Sequence, residues 1–414
     1  MPSDLIVTPP CGALRGAVRA TPHGDVRRFA GIPYGNAPVG DGRFRAATAT
    51  ARWEGTRPAT SFGADPMQAS DGPFSGAVPG MRVAAVSEDC LTINVWSPAA
   101  EPDEALPVMV WMYGGAFVVG GTSAPTYDGA RLAAEQHVVV VSFNYRVGSF
   151  GFLDLRSVPG GETADTNCGL RDQRLALDWV HDNVTAFGGD VDRITVFGES
   201  GGAGATMHLL TTPGLGDVVR GAIVQSPGID LTQQADIAAH VSATLLDRAG
   251  VTTVAGLRAL EPAALLGAQL AVSTRLLFDV GTMVFHPVVD DTFVTTTPSL
   301  ALARGDAADI SLVIGHTADE LRLFPDPRAD ALGRDGLTRW TRAYLTSRMA
   351  RDPGEDVADR LVGQYLAAAE GTSRPKGSDV WAAISGDGIM RMPVIRVADS
   401  RPAESATYVY QFSW

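Results

Sequence analysis

A serine between glycines, at the end of an apolar run, is the first place in this sequence where chemistry could happen. Residues 193–204 read Arg-Ile-Thr-Val-Phe-Gly-Glu-Ser-Gly-Gly-Ala-Gly. Residues 194–197 are apolar or β-branched and predict a short buried strand, while residues 203–210 suit a helix. A serine on the sharp turn between the two holds its hydroxyl outward above the helix N-terminus, the geometry of a nucleophile elbow at Ser200. Gly198 and Gly202 then mark positions where strand and helix approach too closely for a Cβ. The same short pattern also describes an ordinary glycine turn in a chain with 46 glycines, and it is the strand before and the helix after that favour the elbow.

Acyl transfer through serine needs a base, an orienting acid and hydrogen-bond donors for the oxyanion. Tyr113-Gly114-Gly115-Ala116-Phe117 follows the apolar run 106–112, and a glycine loop there can aim backbone N–H groups at one point. A plain strand-end turn has the same composition. The N–H of Gly201, at the start of the helix, is the remaining candidate donor. A later apolar run, 310–314, ends in Gly-His-Thr-Ala-Asp-Glu, which puts Asp319 and Glu320 on a loop at that strand's C-terminal end. Surface carboxylates are common, so the pattern alone does not choose between them.

The elements that must carry these residues alternate. Residues 106–112 and 138–143 are nearly continuous apolar runs separated by a helix over 128–136. The series continues with a helix over 170–183, the elbow strand, a helix to 210, and strands at 221–225, 310–314 and 406–412. Continuous apolar strands separated by helices predict a mostly parallel sheet covered on both faces, with ligands bound at its edge. Shorter strands at 5–7, 13–19, 26–29 and 91–96 precede it, interrupted by loops at 32–42 and 64–87. Two helical excursions are expected, at about 233–270 and 337–369.

A chain of 414 residues that is 45% hydrophobic can bury a large core, and its net charge of −13 argues against a nucleic-acid partner, which needs a basic face. It contains no apolar run long enough for a membrane span, and residues 1–19 lack the charged start and apolar middle of a signal peptide, so a cytoplasmic protein is expected. Cys11, Cys90 and Cys168 have no metal-binding spacing and read as buried free thiols.

Many separate motifs carry a resemblance along the whole chain. They are Phe29-Ala30-Gly31-Ile32-Pro33-Tyr34, Arg43-Phe44, Ser87-Glu88-Asp89-Cys90-Leu91, the Tyr113 loop, Asn144-Tyr145-Arg146, Gly169-Leu170-Arg171-Asp172-Gln173, Phe187-Gly188-Gly189-Asp190, the Ser200 elbow, Pro287-Val288-Val289-Asp290 and Asp319-Glu320. With them the sequence resembles the type-B carboxylesterase family of α/β-hydrolases. The resemblance implies an α/β-hydrolase fold over residues 1–414 as one domain, with a large mostly parallel central sheet, a small N-terminal antiparallel sheet and helical insertions. It implies Ser200 as nucleophile, Glu320 rather than Asp319 as the acid, Gly115, Ala116 and Gly201 as oxyanion donors, and Glu199 as a residue tuning the site's electrostatics. It further implies ion pairs Arg43–Glu88 and Arg146–Asp172, an ester substrate, and neither cofactor nor metal. The acyl pocket would draw on residues 280–285 with Phe117 and Trp111, whose apolar character suits small to medium uncharged acyl groups.

The sequence also departs from the family. Gly201 stands where alanine is usual. Cys90 matches half of a family disulfide, but residues 65–68 hold no cysteine to pair with it, which fits a reducing compartment. Loop 64–90 has Phe74 as its only aromatic residue and lacks the tryptophan that holds a quaternary ammonium, so choline esters are not expected as substrates. None of the seven histidines, His23, His137, His181, His208, His240, His286 and His316, stands on the loop after the last large strand, where the family carries its catalytic base. His208 lies eight residues past Ser200 on one helix, about 12 Å along the axis, and reads as a core histidine. His316 is the nearer substitute. The base is therefore expected beyond Trp414, with the chain incomplete at its C-terminus, less stable and prone to associate. Loss of a triad member costs on the order of 10⁴–10⁶ in rate, so residues 1–414 alone are expected to be weak or inactive. A non-catalytic binding protein of the same fold, or an amidase or carbamate hydrolase with the same site, remains open.

Overall fold

The computed structural model describes residues 5–69, 85–98, 105–276, 283–324, 326–349, 352–369 and 376–413. Among them, nine strands share one sheet in the order Thr407–Phe412, Ser311–Thr317, Gly221–Gln225, Gly189–Glu199, Leu106–Met112, Val139–Phe143, Thr92–Pro98, Gly24–Pro33 and Ala17–Thr21. The first six pair in parallel and the last three pairings are antiparallel. Parallel strands need crossovers, which helices Ala130–Gln136, Cys168–Asn183 and Gly201–Leu210 supply. Because helices cover the sheet, Val139–Phe143 is buried at every position, as its unbroken apolar run predicts. The apolar residues of these strands and helices form the main hydrophobic core.

The expected strand over 13–19 is corrected to two, Ala13–Arg15 and Ala17–Thr21, which enter different sheets. A Cβ on Gly16, at the break, would lie 2.7 Å from the Arg28 carbonyl oxygen and the Phe29 ring. The chain crosses its neighbour there and only glycine fits. In the small separate sheet, Ile6–Val7 pairs antiparallel with Ala13–Arg15, and Thr56–Pro58 adds in parallel. The first helical excursion is three helices, Ala235–Ala249, Val254–Arg258 and Pro262–Arg275. The second starts at Arg334 and comprises Arg334–Met349 and Glu355–Ala369; Gly377–Gly386, a π-helical turn at Asp387–Arg391 and Met392–Ser400 come after it. Thr407–Phe412 is an edge strand with Tyr408, Val409 and Phe412 exposed.

Both ion pairs are present. Arg43 Nε and Nη2 each stand 2.6 Å from a Glu88 oxygen, while Arg43 Nη1 donates to the carbonyls of Leu257, Arg258 and Leu260, tying the first helical insertion to the N-terminal loops. Arg146 Nε and Nη2 each donate to Asp172 at 2.7 Å, and Arg146 N–H adds a third bond. The three cysteines are free and buried; burial pushes the Cys11 and Cys168 thiols up to about 11 and the Cys90 thiol further, so all stay protonated and unreactive.

Candidate active site

The apolar strand Gly189–Glu199 runs through the middle of the sheet and delivers Ser200 to its C-terminal rim, where helix Gly201–Leu210 begins. Ser200 sits at φ 55° and ψ −121°, a conformation a residue with a Cβ adopts only under constraint. The constraints are local. Ser200 N–H donates to the Gln225 carbonyl at 2.9 Å, and the Ser200 carbonyl accepts the helix's first bond from Gly204 at 2.9 Å. A Cβ on Gly202 would lie 2.1 Å from the Met112 carbonyl oxygen, and one on Gly198 would lie 2.8 Å from the Gly202 backbone. The two glycines are thus required by the close approach of strand and helix.

Facing the elbow is the loop after Leu106–Met112. Its backbone is held in the left-handed region at Ala116 (φ 53°) and Phe117 (φ 62°), with Gly115 and Gly120 also at positive φ. A Cβ on Gly201 would lie 3.1 Å from both Ala116 N and Phe117 N, and one on Gly114 would lie 3.1 Å from the Ser200 Cβ. The loop amides and the helix start therefore meet beside the serine. The loop's entrance is fixed by a tyrosine pair: Tyr145 Oη donates to the Tyr113 carbonyl at 2.6 Å, Tyr113 Oη donates to the Tyr145 carbonyl at 3.0 Å, and the rings stack at 4.3 Å.

Strand Ser311–Thr317 brings the two candidate acids to the same rim and separates them. Asp319 faces outward and pairs with Arg322 at 3.1 Å. Glu320 turns inward: its Oε1 accepts from Thr317 N–H at 2.7 Å, and its Cβ stands where a Cβ on Gly386 would lie 3.0 Å away. Glu199 keeps an exposed face but is otherwise surrounded by protein. That desolvation, and secondly the negative charge of Glu320, push its carboxyl up to about 7.

Register adds a residue that sequence reasoning missed. Glu199, Gln225, Gly315 and Tyr410 are successive partners in one row across four strands. Gly315 has no side chain, and a Cβ there would lie 2.4 Å from the Tyr410 ring, so the ring leans across the sheet. Burial raises the Tyr410 phenol, a hydrogen bond from the Gln225 side chain opposes that rise, and the charges of Glu320 and Glu199 add to it. Only the pairing register brings Tyr410 to the two carboxylates, and no local pattern in residues 406–412 reveals it.

His208 is fully buried, with Nδ1 2.8 Å from the Gly204 carbonyl and Nε2 2.8 Å from Thr232 Oγ1. Burial lowers its pKa to about 4. His316 is buried with Nδ1 2.8 Å from the Thr317 carbonyl. Part of the expected acyl-pocket segment, residues 280–282, and Phe74 lie outside the described residues; Val284 and Phe285 are buried. Phe117 packs edge-on against Phe152 and reaches the elbow helix near Gly204, whereas Trp111 packs on Phe197 and Tyr127.

A mostly parallel sheet with a strand–serine–helix turn at its rim, opposed by a glycine loop, defines an α/β-hydrolase. The model of the carboxylesterase family matches residues 3–414, and the chain belongs to that family. It is 34% identical over 403 residues to the para-nitrobenzyl esterase of Bacillus subtilis (strain 168), covering 96% of this chain and 77% of that protein. It is 33% identical over 432 residues to the acetylcholinesterase of Bungarus fasciatus, covering 99% of this chain and 69% of that protein. A solved thermophilic PNB esterase superposes with a TM-score of 0.83 at 33% identity, over 100% of this chain and 80% of its own. A Geobacillus stearothermophilus carboxylesterase superposes with a TM-score of 0.82 at 34% identity, over 99% of this chain and 80% of its own. The protein is thus a hydrolase whose family activity is on carboxylic esters. Among the described residues, no helix is long and apolar enough to cross a membrane.

Proposed function

We propose that the protein hydrolyses small to medium, uncharged carboxylic esters through an acyl-enzyme on Ser200. The observation that carries this reading is the meeting of Ser200, the Ala116 and Gly201 backbone and the inward-turned Glu320 at one rim of the sheet. On attack, the Ser200 oxygen bonds to the ester carbonyl carbon and its proton passes to an imidazole. The carbonyl oxygen, now negative, accepts hydrogen bonds from the N–H groups of Gly115, Ala116 and Gly201. The imidazole returns the proton to the departing alcohol, and water then repeats the sequence to free the acid. Glu320 orients the imidazole. Glu199, its carboxyl raised to about 7, carries less negative charge near neutral pH than an ordinary glutamate would.

Neither His208 nor His316 is placed to serve as that imidazole. His208 has both ring nitrogens engaged deep in the core, and His316 is turned to a backbone carbonyl. The same observation favours a second reading, a hydrolase-fold protein that binds without turnover. The test is hydrolysis of p-nitrophenyl butyrate by residues 1–414 and by a C-terminally extended form that includes a further histidine, each alongside Ser200→Ala. Turnover in the extended form, abolished by Ser200→Ala, supports the ester hydrolase. Absence of turnover in both leaves the binding reading standing.

We also propose that residues 1–414 act as a single α/β-hydrolase domain and that the protein works in the cytoplasm, where three free buried thiols are stable.

A further inference from the structure

We propose that Gln68 is the positioning residue of the oxyanion loop: its side-chain amide clamps Gly120 from both sides and so fixes the amides of Gly115 and Ala116. The proposal rests on the ester-hydrolase reading for its catalytic consequence, but the clamp itself stands on geometry. Gln68 Oε1 accepts from Gly120 N–H at 2.9 Å, and Gln68 Nε2 donates to the Gly120 carbonyl at 2.7 Å and to the Pro66 carbonyl at 3.0 Å. The side chain therefore pairs with Gly120 as a neighbouring strand would. Gln68 is only 5% exposed, so water does not compete for these bonds.

Pinning Gly120 fixes the donors because the loop closes on itself. A Cβ on Gly120 would lie 2.5 Å from the Tyr113 ring and 2.7 Å from the Gly114 carbonyl oxygen, and one on Gly115 would lie 2.3 Å from the Val119 carbonyl oxygen. The exit of the loop is thus packed on its entrance. Two consecutive residues with side chains, Ala116 and Phe117, are held at positive φ between these ends, and such a conformation persists only where the surroundings impose it. Tyr145 holds the entrance, and Gly148 N–H holds the middle by donating to the Phe117 carbonyl at 2.6 Å. Gln68 holds the exit.

The segment bearing Gln68 is itself anchored to residues just beyond the loop's exit. Asp65 accepts from the backbone N–H and the hydroxyl of Ser123, Asn144 Nδ2 donates to the Ala64 carbonyl at 3.0 Å, and Asn144 Oδ1 accepts from Thr122 N–H at 2.8 Å. This is the stretch in which the family resemblance leads one to expect the partner of Cys90. Here polar contacts among residues 64–68, 120–123 and 144 lace it instead.

The test compares Gln68→Met, which removes all three bonds at similar volume, with Gln68→Glu, which keeps the shape. A protonated carboxyl reproduces donor and acceptor; an ionised one loses the donor and faces the Gly120 carbonyl. Hydrogen exchange is read on the peptide over residues 113–122, with strand Leu106–Met112 as reference. Phosphonylation of Ser200 and ester turnover are read in parallel on the form that turns over. The expected result for Gln68→Met is at least a 10-fold loss of protection confined to residues 113–122, with kcat and the phosphonylation rate down about 10-fold and KM within 2-fold. That is less than the ~10²–10³ seen when a donor is deleted outright. For Gln68→Glu, the ratio to wild-type rate falls as pH rises, a trend a merely structural residue would not impose.

Unchanged protection at 113–122, protection lost across the whole molecule, or protection lost with unchanged phosphonylation each overturns the proposal. If the wild-type protein neither turns over esters nor reacts with phosphonate, the ester-hydrolase reading fails, and exchange alone decides whether the clamp exists.

Discussion

Adding one methyl group at Gly202 should separate the elbow from the strand beside it, whereas the same substitution at Gly267 should be harmless. A Cβ on Gly202 meets the carbonyl oxygens of Met112 and Tyr113 at 2.1 and 2.5 Å, all backbone, while one on Gly267, exposed in helix Pro262–Arg275, meets nothing within 4 Å. Restoring ordinary contact of about 3.4 Å at Gly202 requires helix and strand to part by more than 1 Å. Overpacking of this kind costs about 1–3 kcal/mol, whereas Gly→Ala on an open helix face gains about 0.5–1 kcal/mol. At an unfolding entropy of about 2.1 cal/mol/K per residue, a chain of 414 residues shifts its Tm by about 1 °C per kcal/mol. Gly202→Ala should therefore lower Tm by about 1–3 °C and Gly267→Ala raise it by up to about 1 °C. The functional effect should be larger, because a misplacement of about 1 Å costs about 10²-fold in rate. Thermal unfolding followed by fluorescence, with ester turnover of the active form, measures both. Tm shifts of the same sign, or Gly202→Ala turning over at the wild-type rate, would refute the steric account of the elbow.

Breaking the buried Arg146–Asp172 pair from one side, as in Asp172→Asn, should cost about 3–5 kcal/mol in denaturant unfolding, and the double variant Arg146→Met/Asp172→Leu should recover part of it. Because the carboxyl of Glu199 is raised from 4.5 to about 7, the native state holds its proton more tightly than the unfolded chain does. The stability tied to that proton is present at low pH and lost as pH rises through 7, so Glu199→Gln should flatten the fall in Tm between pH 5 and pH 8. Replacing Glu320 by Gln removes the second cause of that shift and should lower the Glu199 pKa, read by carboxyl ¹³C NMR. His208 is depressed to about 4, so its contribution is present above the ordinary value of 6.5 and lost as pH falls towards 4; His208→Gln should reduce acid sensitivity across that window.

What the sequence made legible was local. The elbow could be read at Ser200 because strand, turn and helix signals are contiguous, and residues 106–112 and 221–225 were placed to the residue because their apolar runs lie between charged, polar or glycine-rich stretches. Choosing Glu320 over Asp319 needed the family resemblance. In the structure Thr317 N–H donates to Glu320, while Asp319 pairs with Arg322 at the surface. Residues 13–19 misled because only one glycine between Ala13 and Arg19 marks a break, and the close approach of Arg28 and Phe29 that Gly16 permits comes from the next strand pair. Gln68 and Tyr410 were illegible for the same reason. One acts on a loop 52 positions away, and the other reaches the site through the register of four strands.

The central claim is that Ser200 is an activated nucleophile served by Glu320 and the loop amides. Its most direct measurement is intact mass and peptide mapping after a fluorophosphonate is added to the protein, to its Ser200→Ala variant and to its Glu320→Gln variant. The account predicts one adduct per chain on the peptide carrying Ser200, none in Ser200→Ala, and labelling slowed by at least about 10²-fold in Glu320→Gln. An adduct on another residue, or labelling of Glu320→Gln at the unmodified rate, would contradict it.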